Sequence, residues 1–446
     1  MAKDMTKGSL SRMLISFSVP LILSGLLQQL YSWADAFIVG NAQGEAALAA
    51  IGATTSLFTF FTMLVTGFSS GVSILSAQLY GNGEHDAQRR ILFSFSLILG
   101  VCALALTVLC APAAHALLRF LQTPEDIIVQ STRYLSIVLL GLPFIAVYNA
   151  HCAVLRGMGD SKAPLLSVLI SSLLNIALDI LLVYGMRLGV AGAAIATLIA
   201  QVLMTIFIVL YARKYAILRL RPSRSLFDGQ LIARGCRLAV PITVQSGINS
   251  AGHLALQNFM NSFGTQTVAA ITSAYRIDSI ILLPIINLGT AISTLVAQNT
   301  GANRHDRARR GLAIGSVMMT AVSLMLTAVV MLLGGGMIKM FDVTDQAAQI
   351  GADFFRYLGA FYVVFGLSTA IRGYLEGLGD VIFSGVIAIS SLALRILLSY
   401  LLRGVYGNMV IAWAEAYSWC FMLAMYLLRL SLQLKKKRDG IAPASS

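Results

Sequence analysis

Long apolar runs alternate with short polar breaks along the whole chain, and most runs have the length of a bilayer crossing. In order they predict spans at about 13–39, 46–78, 91–112, 133–155, 163–185 and 190–213, and then at about 235–262, 268–297, 312–335, 354–375, 382–403 and 409–430. Gly and Pro punctuate the runs in place of strand-like alternation, so the pattern reads as helices and against a barrel of strands. A polar, basic stretch at 214–234 separates the sixth span from the seventh.

The two sets of six are copies. AQLYGNGEHDAQRR (77–90) returns as AQNTGANRHDRARR (297–310), with seven of fourteen positions identical, and LRGMGD (155–160) returns as LEGLGD (375–380). Pro20 and Pro241 open the first and seventh spans at nearly the same offset. Six is an even number, so both units cross the membrane in one orientation and are related by a pseudo-twofold axis along the membrane normal. The expected chain is an all-α integral membrane protein with twelve transmembrane helices. Its parts are an N-lobe (1–213), a cytoplasmic linker (214–234), a C-lobe (235–430) and a cytoplasmic tail (431–446). The repeated loops suit helix ends at the membrane surface: Gly81, Gly83 and Gly301 stop helices, and Asp160 and Asp380 are placed to cap the helices that follow. Asp86 and Asp306 read as caps before they read as gates.

Composition agrees with this pattern. Charged residues are 11% and apolar residues 57% of 446 positions, with a mean hydropathy of +0.80, which excludes a soluble globule. With both termini placed inside, 24 of the 32 Lys and Arg fall on the cytoplasmic side, which orients the chain in a cell inner (plasma) membrane. That bias also accounts for the net charge of +13 without a nucleic-acid partner. The first span is too long for a signal peptide and has no A-x-A-like cleavage site, so it is a helix. Cys102, Cys110, Cys152, Cys236 and Cys420 are scattered singly and imply neither disulfide nor metal.

One span carries a cost. Asn175 and Asp179 lie four apart in SSLLNIALDILLVYG, on one face of a helix, and a carboxylate in hydrocarbon requires a partner, a proton or a cation. The bland alternative is a pair of buried acids satisfied for packing reasons.

Asp35 in SWADAFIVGNAQGEAALAA, the A-Q-x-x-G-x-x-x-x-D-x-x-R-R loop, the R-G-x-G-D turn at 156–160 and N-x-x-x-D at 175–179 together resemble the multidrug and toxic compound extrusion (MATE) family. The resemblance covers about 13–430. It implies an antiporter that expels organic, often cationic or amphipathic, compounds in exchange for Na⁺ or H⁺, built as two six-helix lobes. Carried over by position, Asp35, Asn175, Asp179 and Thr197 form the coupling site, a Na⁺ site if the protein is sodium-coupled, with Ala193 offering a carbonyl and Gln28 and Tyr31 a polar network. Residues Ile242 to Ser250 lack the helix-7 Glu of NorM-like members, which points toward the DinF-like branch.

On the expected boundaries Asp35 lies about 6 Å, Asp179 about 9 Å and Thr197 about 10 Å from one end of the first lobe, so three helices bring oxygens to one level. The set suits an alkali cation, and the close pair of acids suits a proton equally. Asn175, Asp179 and Thr197 correspond in the second lobe to Arg395, Ser399 and Tyr417, with Glu415 near the last; Arg395 and Glu415 are expected to pair there. Arg276 and Asp278, two apart, do not share a helical face; either is a candidate for the substrate cavity. His151 and His253 read as core histidines.

The expected mechanism is alternating access, with cation or proton entry neutralising Asp35 and Asp179 and Pro20 serving as a hinge. No cofactor is expected beyond the coupling ion; the partners are a small organic substrate and the bilayer, with the chain a monomer. A lipid-linked precursor flippase of the same superfamily is the alternative, disfavoured because only Arg276 and Arg395 are intramembrane cations. No H-E-x-x-H, G-x-S-x-G or P-loop is present, so an enzyme is not expected.

Overall fold

The computed structural model describes residues 3–218, 227–341 and 343–438. Of the expected linker, 219–226 lie outside the described residues, as do 439–446 of the expected tail. Every regular element among the described residues is helical.

The first half contains α1 (Leu10–Gln43), α2 (Glu45–Gly81), α3 (His85–Cys110) and the short α4 (Ala114–Phe120). The fourth span is bent: α5 (Ile128–Leu139) and α6 (Leu142–Gly157) meet at 42°. Then follow α7 (Lys162–Asp179), which continues as a π-helix over Ile180–Gly185, and α8 (Gly189–Ala212). The second half contains α9 (Gly229–Asn261), α10 (Thr265–Ile281), α11 (Leu283–Gly301) and α12 (His305–Lys339). A second bent pair, α13 (Asp345–Gly359) and α14 (Tyr362–Gly377), meets at 50°, followed by α15 (Val381–Leu401), the short α16 (Arg403–Tyr406) and α17 (Val410–Arg438). Among the described residues nine helices are long and apolar enough to cross a membrane, and each bent pair adds one more. The twelfth span is α9, where Gln245, Asn249, His253 and Gln257 dilute the apolar run.

The duplication is written into the backbone. Eight of the eleven positive-φ residues among those described fall in pairs 220 apart: Gly44 and Gly264, Gly83 and Asn303, Gly159 and Gly379, Arg187 and Gly407. At the 77–90 loop and its copy the hydrogen bonds repeat as well. Glu84 N donates to Leu79 O at 3.0 Å and Arg304 N to Asn299 O at 2.7 Å, the six-to-one bond of a Schellman helix stop. That motif requires a left-handed residue just before the donor; Gly83 supplies it in one copy, and Asn303, the side chain that best tolerates it, in the other.

The second loop does more than end a helix. Met5 N donates to Gln298 Oε1 at 2.8 Å, Asn299 Nδ2 to Met5 O at 3.1 Å, Arg304 Nη1 to Thr6 O at 2.9 Å and Arg307 Nη2 to Gly8 O at 2.8 Å, fixing the segment before α1. The turn at Asp160 caps α7, its Oδ1 accepting from Lys162 N at 3.0 Å and Ala163 N at 3.3 Å. Asp380 is used differently: its Oδ2 accepts from Arg429 Nε at 2.7 Å and Gln433 Nε2 at 2.8 Å of α17. Asp228 caps α9 through Gln230 N and Leu231 N and takes Arg90 Nη1 at 3.1 Å; the Leu231 N–H first, and then Arg90, hold its carboxyl below the usual range.

The chain forms two compact units whose limits differ from the expected lobes. The first comprises Met1–Asp4 with Pro20–Ser246, the second Met5–Val19 with Gly247–Ser446. The first ten residues of α1 therefore pack with the second unit, and α9 as far as Ser246 packs with the first. Lipid tails are as apolar as Leu, so these helices are held by close fit rather than by escape from water. In the first unit a Cβ on Gly71 would lie 2.3 Å from Ala239 Cα, and one on Gly235 would lie 2.2 Å from the ring of Phe95. In the second unit the glycine is on the other partner: a Cβ on Gly315, the copy of Phe95, would lie 2.7 Å from Ile292 and 3.8 Å from Leu14, the residue equivalent to Gly235.

Candidate functional site

In the first unit α1, α7 and α8 converge on one buried polar cluster. Asp35, Asn175, Asp179 and Thr197 are 9%, 1%, 0% and 5% exposed, so their oxygens must find partners inside the protein. The Asp35 and Asp179 carboxyl groups lie within hydrogen-bonding reach of each other. Asn175, its amide oriented by its neighbours, donates from Nδ2 to Asp179 Oδ2 at 3.0 Å and accepts from Thr197 N at 3.3 Å. The amide thus ties α7 to α8 and fixes one carboxylate oxygen.

Helix ends set the depth, and here one expectation is corrected. α1 runs to Gln43, past the expected end near 39, which places Asp35 eight residues from its end, about 12 Å. Thr197 lies eight residues into α8, also about 12 Å, and Asp179 precedes a six-residue π-helical turn. Asp35 and Thr197 therefore share a level more closely than the apolar runs alone indicated, with Asp179 nearer the end of its own helix. A π-turn widens the helix and reorients what precedes it, and such turns are frequent beside functional groups.

Of the remaining expected residues, Tyr31 stands one turn before Asp35 and lies in electrostatic reach of Asp35 and Asp179. Ala193 is fully buried one turn before Thr197 on α8. Gln28 is exposed, away from the packed interior. Pro20 is buried inside α1, at the residue where that helix passes from the second compact unit to the first. Tyr134 of α5, absent from the expected set, is buried against Thr197, Asp35 and Tyr31. A lone Tyr in an apolar span carries no spacing signal.

Three buried oxygens of this cluster have no hydrogen-bond donor: Asp35 Oδ1, Asp179 Oδ1 and Thr197 Oγ1. Such atoms are costly in a packed interior unless something else satisfies them. Two carboxylates, a hydroxyl and an amide form a hard-oxygen donor set, fitted to an alkali cation or to a shared proton. No group of three or more His, Cys, Asp or Glu that could hold a metal ion occurs among the described residues.

The equivalent place in the second unit is filled from within. Arg395 Nη2 donates to Glu415 Oε2 at 2.7 Å and to Tyr275 Oη at 2.7 Å, and Tyr275 Oη donates to Glu415 Oε2 at 3.2 Å. Asp278, buried nearby, accepts from the Tyr362 hydroxyl. Arg276 leaves this network altogether. Two residues from Asp278 and on another helical face, it is exposed.

Sequence comparison agrees with this architecture. The chain is 29% identical over 399 residues to "Probable multidrug resistance protein YoeA" of Bacillus subtilis (strain 168), covering 86% of this chain and 85% of that one. It is 25% identical over 442 residues to "Multidrug export protein MepA" of Staphylococcus saprophyticus, covering 96% of each. The fold matches a solved multidrug resistance MATE family transporter of the MOP superfamily with TM-score 0.89, at 22% identity and covering 98% of this chain and 99% of that one. The model of the family described as MatE matches residues 20–181 and again 241–401, once in each repeat; with twelve spans in two copies of six, the chain belongs to the MatE family.

Proposed function

We propose that the protein is a secondary antiporter of a plasma membrane, with both termini cytoplasmic, exporting organic cationic or amphipathic compounds in exchange for Na⁺ or H⁺. The observation that carries this reading is the trio of donorless buried oxygens on Asp35, Asp179 and Thr197. A site with unmet acceptors and two adjacent carboxyls is built to take up positive charge, and its occupant changes the balance of repulsion between α1 and α7.

Entry of one cation or proton cancels one of the two negative charges, relieves their mutual repulsion and draws α1 toward α7 and α8. Pro20 has no N–H, so the carbonyl one turn earlier, that of Ser16, lacks its helical donor and α1 bends there at low cost. Because α1 changes compact unit at Pro20, a movement of the Asp35 half relative to the inner half is a movement about that residue. The names of the relatives, a multidrug resistance protein and a multidrug export protein, support efflux of more than one compound. A lipid-linked precursor flippase would need several intramembrane cations for a pyrophosphate, and Arg395 is already bonded to Glu415.

The test is transport in proteoliposomes with a Na⁺ gradient and a pH gradient imposed separately. Efflux of a cationic dye driven by one gradient, and lost in Asp35→Asn, is the expected result. Efflux driven by neither gradient overturns the antiport reading.

A further inference from the structure

One intramembrane charge plays no part in the cation chemistry. Arg276 lies on α10, eleven residues from its start at Thr265, about 16 Å along the helix and near the middle of a hydrocarbon layer about 30 Å thick. It is exposed, and no carboxylate among the described residues forms a salt bridge with it. A guanidinium is always charged, and at this depth it is tolerated where it lines a wet cavity.

The structure supplies the cavity. A pocket of about 650 Å³ in the second unit is lined by Asn261, Thr265, Thr272, Ser273, Arg276 and Phe341, together with small and apolar positions between them. Its wall is one face of α10. Thr265, Val268, Ala269, Thr272, Ser273 and Arg276 follow the three-and-four spacing of a helical stripe. Hydroxyls and an amide share the lining with small residues that leave room, and Arg276 is the one full charge in it. The volume lies in the range of pockets that hold small organic ligands.

We infer that this pocket is a binding site for an amphipathic anion, whose carboxylate, sulfonate or phosphodiester head is held by Arg276 with the Thr272 and Ser273 hydroxyls beside it, and whose apolar body lies along Val268, Ala269 and Phe341. A planar guanidinium donates two parallel hydrogen bonds to such a head group, which a lysine could not do. Asp278 does not neutralise the site, because its carboxylate is turned to Tyr362 on the buried side of the same helix. The site is separate from the Asp35 cluster and does not depend on the export reading.

The experiment is equilibrium binding of pyrenesulfonate to the full chain in nanodiscs of zwitterionic lipid, with uncharged pyrene as the control. Wild type is expected to bind the sulfonate, with Arg276→Gln at least tenfold weaker and Arg276→Lys between the two, while pyrene binding is unchanged. Thr272→Phe, which fills the cavity one turn from the guanidinium, is the second variant and should lose both probes. Adding phosphatidylglycerol to the discs separates the two sources of the head group: competition assigns the pocket to an anionic lipid, and lack of competition to a free organic anion. Sulfonate binding equal in wild type and Arg276→Gln, or absent from wild type, overturns the inference. The measurement involves no gradient and no turnover, so its failure is distinct from a failure of antiport.

Discussion

Arg395 and Glu415 meet at 2.7 Å inside the second unit, and Arg395 stands one repeat on from Asn175 of the buried polar cluster. The same scaffold position thus carries a neutral amide beside two acids in one copy and a permanently tethered cation beside one acid in the other. Both partners are about nine-tenths buried, so removing one leaves the other uncompensated, at a cost of about 3–5 kcal/mol. Glu415→Gln is therefore expected to lower the unfolding temperature in detergent more than the double change Arg395→Met with Glu415→Met. Exchange of the two charges (Arg395→Glu with Glu415→Arg) should restore part of what each single reversal loses. If the exchanged protein is no more stable than the single reversals, the pair is not an energetic unit.

The buried polar cluster of the first unit makes a complementary prediction. Asp35→Asn and Asp179→Asn should each abolish dye efflux to background while the purified protein keeps its unfolding temperature or gains a degree or more, since each removes a buried charge with an unmet oxygen. Thr197→Val should weaken coupling without abolishing it. Wild-type efflux in Asp35→Asn, at equal membrane levels, would remove this site from the mechanism.

Pro20 is expected to govern rate rather than fold. Pro20→Ala restores the N–H that the Ser16 carbonyl lacks and straightens α1. We expect slower turnover at saturating substrate, with thermal stability unchanged or higher. Turnover equal to wild type under both gradients would remove Pro20 as the hinge.

A packing prediction tests the fit between α3 and α9. With the Phe95 ring 2.2 Å from where a Cβ on Gly235 would stand, Gly235→Ala should cost about 1–3 kcal/mol. Phe95→Leu in the same protein should recover most of it, because the smaller side chain vacates the space the new methyl needs. A double-mutant cycle on unfolding in mild denaturant reads the coupling, which should exceed about 0.5 kcal/mol.

The class of fold was legible because apolar run length and the positive-inside bias are properties of single residues summed along the chain. The duplication was legible for a related reason: a helix stop needs particular residue types, so Gly83 and Asn303 kept their roles. Asp35 and Asp179 stood out because an acid in an apolar run is costly wherever it lies, and Asn175 because it shares a helical face with Asp179. What escaped the sequence depends on the third dimension. The depth of Asp35 was misjudged because α1 continues through Gly40, Asn41 and Gln43, residues of polar or small type that read as a helix end. Tyr134 joins the cluster by the packing of α5, and the different use of Asp160 and Asp380 follows from which donors α8, its C-terminal turn and α17 happen to present. Motif identity preserved the turn and not the partner.

The passage of α1 and α9 between the two compact units carries a meaning for ancestry. Each unit is complete only with a half-helix encoded in the other repeat, so neither repeat cut out alone owns all the surfaces it needs. An ancestral six-helix protein with this arrangement would have lent the start of its first helix to a second molecule and borrowed one in return, a dimer made by exchange. Fusion of two such copies would turn a reciprocal loan between two chains into a covalent dependence within one, and would leave each copy free to differ as these two do, one with unmet acids at Asp35 and Asp179 and one sealed by Arg395.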